Sequence, residues 1–354
     1  MAKMTRTTTT TAATATVADP RGRHAGPLPT AKKKARYTLL LTVMLVLAVG
    51  FSLLYLGWGN AMPFGSSGWR RIAQMRAEAL VVIVVVAFAQ ATATVAFQTV
   101  TYNRILTPSI MGFEALYRLI QTAAMFFLGV AGLMALEGVG GFLLQVVLMV
   151  VLSAILYGWL LLGQRGNLQI MLLVGIVLGA GLGAIATFLQ RLMTPGEFDI
   201  LQARLIGSIA NADTDYLMVC IPLVAVSGGI LWLRSGKLNV LGLGRDTATN
   251  LGQNHRGETI AVLMLVAVLM ACSTALVGPM TFLGFLVAMI GYQLADTYDH
   301  RLVFPMAFLT GVTFLAGSYF VLKNIFYAEG SVGIIIEVVG GLFFLTYIMR
   351  KGRL

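Results

Sequence analysis

Ten mostly apolar stretches separated by short polar or Gly/Pro-containing connections run the length of the chain, and they constrain its fold more than any other feature. A helix that crosses a bilayer needs about 20 such residues. By that rule spans fall at 37–58, 78–101, 113–136, 141–163, 168–190, 216–234, 258–277, 282–295, 302–322 and 332–349. The eighth is short for a crossing, and Gly278-Pro279 just before it is expected to break one longer apolar passage in two. Only 11% of the residues are charged and 58% are apolar, whereas a soluble domain carries about 25% charged residues. The expected fold class is an all-α polytopic membrane protein with the lipid bilayer as its solvent. A soluble enzyme and a nucleic-acid-binding module are both excluded.

The net charge of +11 is a topological signal. An even number of spans puts both termini on one side, together with Lys3, Arg6, Arg21, Arg23, Lys32, Lys33, Lys34, Arg36, Arg104, Arg165, Arg234, Lys237, Arg245, Arg256, Arg301, Arg350, Lys351 and Arg353. The other side holds Arg70, Arg71, Arg76, Arg191, Arg204 and Lys323. Lys and Arg accumulate in cytoplasmic segments, so both termini are expected in the cytoplasm. Residues 1–36, Thr-rich and basic, are expected to form a disordered cytoplasmic tail, and 37–354 the transmembrane domain. Arg70, Arg71 and Arg76 sit on the side that disfavours them, which suits either docking of an acidic partner or pairing with lipid phosphates.

Chemistry-bearing motifs are few. Cys220 and Cys272 lie in apolar runs, and His24, His255 and His300 are scattered, so no metal or cofactor site is expected. No P-loop, catalytic triad or paired-carboxylate pattern occurs, so the chain is not expected to be an enzyme. Gly175, Gly179 and Gly183 recur every four residues and lie on one helical stripe, which serves packing within the bundle or a subunit interface. Glu114 and Arg118, four apart, are expected to neutralise each other. Glu337 has no evident partner; it lines a wet path, carries a proton or makes a buried hydrogen bond. In the connection 243–254, Asp246 is expected to cap a short helix bearing Ala248 and Leu251 on one face, with Gly252 ending it.

Several segments together resemble the FecCD family, the iron-siderophore and vitamin B12 permeases of ATP-driven importers. Gly244, Ala248, Leu251 and Gly252 fall in step with that family's coupling loop, Leu-Gly-Glu-x-x-Ala-x-x-Leu-Gly, and Asp246 takes a neighbouring acidic position. Gly278-Pro279-Met280-Thr281-Phe282-Leu283-Gly284, Asp299-His300-Arg301 and Glu329-Gly330-Ser331-Val332-Gly333 match further family motifs in order, from about residue 70 to the end. The segments 103–112, 113–117 and 188–193 are similar to a branch serving ferric siderophores, often catecholates. The chain departs from the family at Ala288-Met289, where Pro-His is usual, and keeps only Arg76 of an outer Arg-x-Pro-Arg.

The resemblance implies a type II ABC importer fold like that of the vitamin B12 permease, and a ferric-siderophore permease subunit in a bacterial cytoplasmic membrane. Cobalamin or haem is the alternative cargo within the family. Its partners would be ATPase subunits that use ATP, a second permease chain, with a heterodimer favoured, and an extracytoplasmic siderophore-binding protein. The loop around Gly244, Asp246, Ala248, Leu251 and Gly252 would couple to the ATPases, and Arg70, Arg71 and Arg76 would receive the binding protein. Gly175, Gly179, Gly183 and Glu337 would border the pathway or the dimer interface. The rivals are an ion-coupled secondary transporter, with Glu337 carrying the proton, and a non-transporting membrane scaffold.

Overall fold

The computed structural model describes residues 26–60, 62–134, 136–162, 168–209, 212–324 and 332–351, and among them there is no strand. Residues 1–25, Arg165 and the Glu329-Gly330-Ser331 part of the last motif lie outside the described residues. The helices are α1 (Ala31–Gly57), α2 (Ser67–Val100), α3 (Glu114–Met134), α4 (Gly138–Leu162), α5 (Leu168–Arg191), α6 (Pro195–Leu205) and α7 (Leu217–Leu233). They continue with α8 (Ser235–Leu241), α9 (Arg245–Asn250), α10 (His255–Val277), α11 (Leu283–Ala295), α12 (His300–Asn324) and α13 (Val332–Lys351). Among the described residues eight helices are long and apolar enough to cross a membrane, and α11 and α13 supply two shorter apolar ones. All ten expected spans are therefore present, and α6, α8 and α9 are short connecting helices.

Helices α2, α10 and α12 form the centre. Small residues let them approach: a Cβ on Gly311 of α12 would sit 3.1 Å from the Ala87 Cβ of α2, and one on Gly291 of α11 only 2.8 Å from that of Ala307. Gln90 of α2 donates to the Ser273 hydroxyl of α10 at 3.1 Å, one of few polar links inside this centre.

Helix α1 begins at Ala31, so residues 31–36, expected in the tail, are helical. The Thr30 hydroxyl accepts from the Lys33 amide at 3.2 Å and caps the first turn. Lys33 then reaches Asp296 at 3.2 Å, and the Thr297 hydroxyl donates to the Pro27 carbonyl at 2.9 Å. The end of the bundle where α1 begins is called the near end here, and the end where α1 stops the far end.

The break at Gly278-Pro279 is as expected. Gly278 takes φ +82° and ends α10, and α11 starts at Leu283. A helix of 13 residues is only about 20 Å long against a hydrocarbon layer of about 30 Å, so this turn lies within the membrane thickness. Non-helical backbone there must find its partners in the protein. Glu114 supplies them: its carboxylate accepts from the Met280 amide at 3.1 Å and from the Thr281 hydroxyl at 2.5 Å. The Ser208 amide donates to the Val277 carbonyl at 2.8 Å. The expected Glu114–Arg118 pair does not form, because Glu114 is buried under the turn while Arg118 is exposed.

Candidate functional site

At the near end the segment 243–254 forms a compact protrusion. Gly244, at φ +105°, turns the chain into α9 and occupies the N-cap, so Asp246 is not the cap as expected. Asp246 stands in the first turn, where a carboxylate faces the positive end of the helix. Gly252, at φ +81°, closes α9: its amide donates to the Thr249 carbonyl at 2.9 Å and the Gln253 amide to that of Ala248 at 3.0 Å. This pair of bonds is the Schellman motif, which needs a left-handed residue and so favours glycine. Ala248 is fully buried, whereas Leu251 is 61% exposed and Leu243 60%. Ala248 thus roots the helix, and Leu251, three residues on at its end, is presented outward.

The root is stiff. Helix α8, which the sequence reading did not foresee, buries Leu238 and Leu241, and Glu258 of α10 accepts from Arg234 at 2.9 Å and Lys237 at 2.5 Å. Asn239 of α8 lies at the centre of a polar network. The Asp299 carboxylate can only accept, so the Asn239 amide nitrogen, 3.0 Å away, faces it. The Asn239 oxygen therefore faces His300, accepting from its backbone amide at 3.0 Å and from Nδ1 at 2.6 Å. His300 Nε2 lies 2.6 Å from the Thr99 hydroxyl at the end of α2. One connected chain thus runs from the protrusion through α8 to the first turn of α12 and the last of α2. Asp299-His300 was noted in the sequence only as a motif; Asn239 and Thr99 carried no local signal, since the network is made by contacts across 61 and 201 residues.

At the far end the three basic residues divide. Arg70 and Arg71 are exposed on the first turns of α2. Arg76 is 4% exposed, and its guanidinium donates to the carbonyls of Tyr55, Leu56, Trp58 and Gly59 at 2.7–3.3 Å. These are carbonyls at the end of α1 and just beyond, several of which a helix terminus leaves without partners. Arg76 therefore clamps α1 to α2 and presents no charge outward, contrary to the expectation for it. Helix α6, a second element not foreseen, is set by a capping box in which Thr194 and Glu197 satisfy each other's backbone amides, with Pro195 at its first position.

The glycine stripe of α5 also divides. A Cβ on Gly179 would stand 3.0 Å from Gly112 Cα, and one on Gly175 would press on Met111. Both glycines seat α5 on the π-type turn Ser109–Phe113, where Gly112 takes φ +111°. That contact is packing within the chain. Gly183 has nothing within 4 Å, so the stripe leaves the intramolecular contact at this point. Glu337 is exposed on α13 and lines a far-end cleft together with Arg118.

A protein-family model matches residues 38–351. The chain belongs to the FecCD transport family. It is 46% identical over 332 residues to the petrobactin import system permease FatC of Bacillus anthracis, with 94% of each chain covered. It is 34% identical over 316 residues to the petrobactin import system permease YclO of Bacillus subtilis, covering 89% of this chain and 97% of that one. Among solved structures, an inward-facing metal-chelate type ABC transporter matches 88% of this chain and 99% of its own at a TM-score of 0.73 and 22% identity, a likeness of fold. As a FecCD protein the chain is a permease component of an ATP-binding-cassette importer and a multi-pass bacterial membrane protein. The family implies ATPase subunits, a substrate-binding partner and a second permease chain.

Proposed function

We propose that this chain is one half of the permease of a ferric-siderophore importer, most suited to a catecholate-bearing chelate. The observation that carries the reading is the 46% identity to a petrobactin permease across 94% of both chains. Both termini then lie in the cytoplasm, with the near end facing the ATPases. The protrusion 243–254 is the handle through which ATP-driven closure enters the membrane. Its exposed Leu243 and Leu251 seat in the ATPase, and Ala248 with Gly244 and Gly252 hold its shape. Asn239, His300 and Thr99 pass that motion to α12 and α2. On the outer face Arg70 and Arg71 receive carboxylates of the binding protein, where opposed charges speed encounter and set register. Gly183 and the region of Glu337 border the seam with a second, non-identical permease chain.

The test is uptake of radiolabelled iron, offered as a ferric catecholate or a ferric hydroxamate, in cells with and without this chain, with labelled cobalamin as control. Loss of ferric catecholate uptake alone is expected. A fall in cobalamin uptake with iron unchanged would keep the importer and overturn the cargo. For docking, Arg70→Glu with Arg71→Glu is expected to weaken binding-protein affinity at low salt, and unchanged affinity there would remove these residues from the interface.

A further inference from the structure

The apolar surface of α5 and that of α13 are open to a neighbour: Leu173, Val177 and Phe188 of α5 and Val338 and Leu342 of α13 are all more than half exposed. At the far end they are interrupted by a polar cleft of about 220 Å³, lined among others by Arg118 of α3, Gln190 of α5, Gln202 of α6 and Glu337 of α13. A guanidinium and a carboxylate turned towards hydrocarbon are costly, so this part of the face must be wet or covered. The proposed second permease chain faces it across a water-filled passage, and this inference rests on that reading.

Arg118 is not consumed by its own fold. Glu114, one turn before it, is spent on Met280 and Thr281, and Arg118 makes no ion pair with any described residue. Gln190 is fixed by donating to the Thr122 hydroxyl at 3.0 Å, which holds one wall in place. A ferric siderophore presents iron wrapped by anionic oxygens, often in adjacent pairs. A planar guanidinium matches paired oxygens better than a point charge does. The cleft is too small for a whole iron chelate and large enough for one anionic arm.

From this placement we infer that the Arg118 cleft is a substrate subsite on the wall of the passage, in which Arg118 takes an anionic arm of the ferric chelate while Gln190 and Gln202 flank it. Glu337 limits how tightly that arm is held, because passage requires a site that is entered readily and left readily. Arg118→Gln in the complete importer is expected to lower uptake of a ferric tris-catecholate at least tenfold, with Arg118→Lys intermediate. Glu337→Gln is expected to lower both KM and the maximal rate. Uptake by Arg118→Gln within twofold of wild type would overturn the subsite.

Labelling guards against a mere folding defect. Arg118→Cys in the assembled importer should react with a water-soluble maleimide, since native Cys220 and Cys272 are buried, and ferric catecholate delivered by the binding protein should slow the reaction. No labelling, or labelling that the chelate does not change, overturns the inference. A wild-type importer that carries no ferric chelate would sink the importer reading and the subsite with it, and the wild-type control reveals that case directly.

Discussion

Helices α1 and α2 are comparably apolar, yet 78% of the most apolar window of α2 is buried inside the protein against 11% for α1. What separates them is size and polarity. Helix α2 carries Ala87, Ala89, Ala91, Ala93 and Ala96 among Gln90, Thr92, Thr94 and Gln98, all buried, whereas α1 turns Leu39, Val46, Val49 and Leu53 outward. Hydrophobicity cannot drive helices together in lipid, because the tails are as apolar as leucine. Close approach over small residues and a few hydrogen bonds decides which helix is central. In this chain the central helix is recognised by alanine and by polar residues tolerated in its middle, and the peripheral one by its run of leucines.

That contrast can be broken or sharpened by substitution. The largest effect is expected from Gly284→Leu, because even a Cβ there lies against the Thr94 hydroxyl and 3.2 Å from the Gln90 oxygen of α2. Overpacking of this kind costs roughly 3 kcal/mol or more, and the yield of monodisperse protein in detergent should collapse; a normal yield would mean that α2 and α11 are not closely packed. Gly179→Leu should follow at about 1–3 kcal/mol because it meets Gly112 within the chain. Gly183→Leu should leave the isolated chain unchanged and impair only assembly with the partner permease, as read by co-purification. Equal loss of stability for both would show that the stripe packs internally along its whole length.

Arg76→Met should lower stability by about 2 kcal/mol by releasing the α1 carbonyls, seen as a Tm roughly 3 °C lower. An unchanged Tm would show that water replaces the guanidinium there. Smallest of all, Leu53→Ala on the outward side of α1 should change stability by less than about 0.5 kcal/mol. A loss as large as that of a core leucine would mean that α1 has a protein neighbour on that side.

Legibility followed the range of the interaction. The ten spans, the break at Gly278-Pro279 and the left-handed stop at Gly252 depend on a few consecutive residues and on membrane thickness, and each was readable. Asp246 as a cap failed narrowly, because Gly244 already turns the chain two residues earlier. Arg76 and Glu114 failed for a deeper reason. A charged side chain read along its own helix has only neighbours at three and four residues as partners, whereas Arg76 serves carbonyls 17–21 residues back and Glu114 a turn 166 residues on. Helices α6 and α8 were missed because each is short and only moderately apolar, so neither length nor periodicity marks it.

The amino-acid sequence by itself determined that the chain crosses a membrane about ten times, where it crosses, and the family to which its motifs are similar, because bilayer thickness and backbone hydrogen bonding act on each segment separately. The tertiary structure alone decided which charges are spent and which remain available. It turned Glu114 and Arg76 inward to satisfy distant backbone, and it left Arg70, Arg71, Arg118 and Glu337 exposed. The physical reason is that a buried charge takes whatever partner the packed helices bring to it, and that choice is made only when the helices meet.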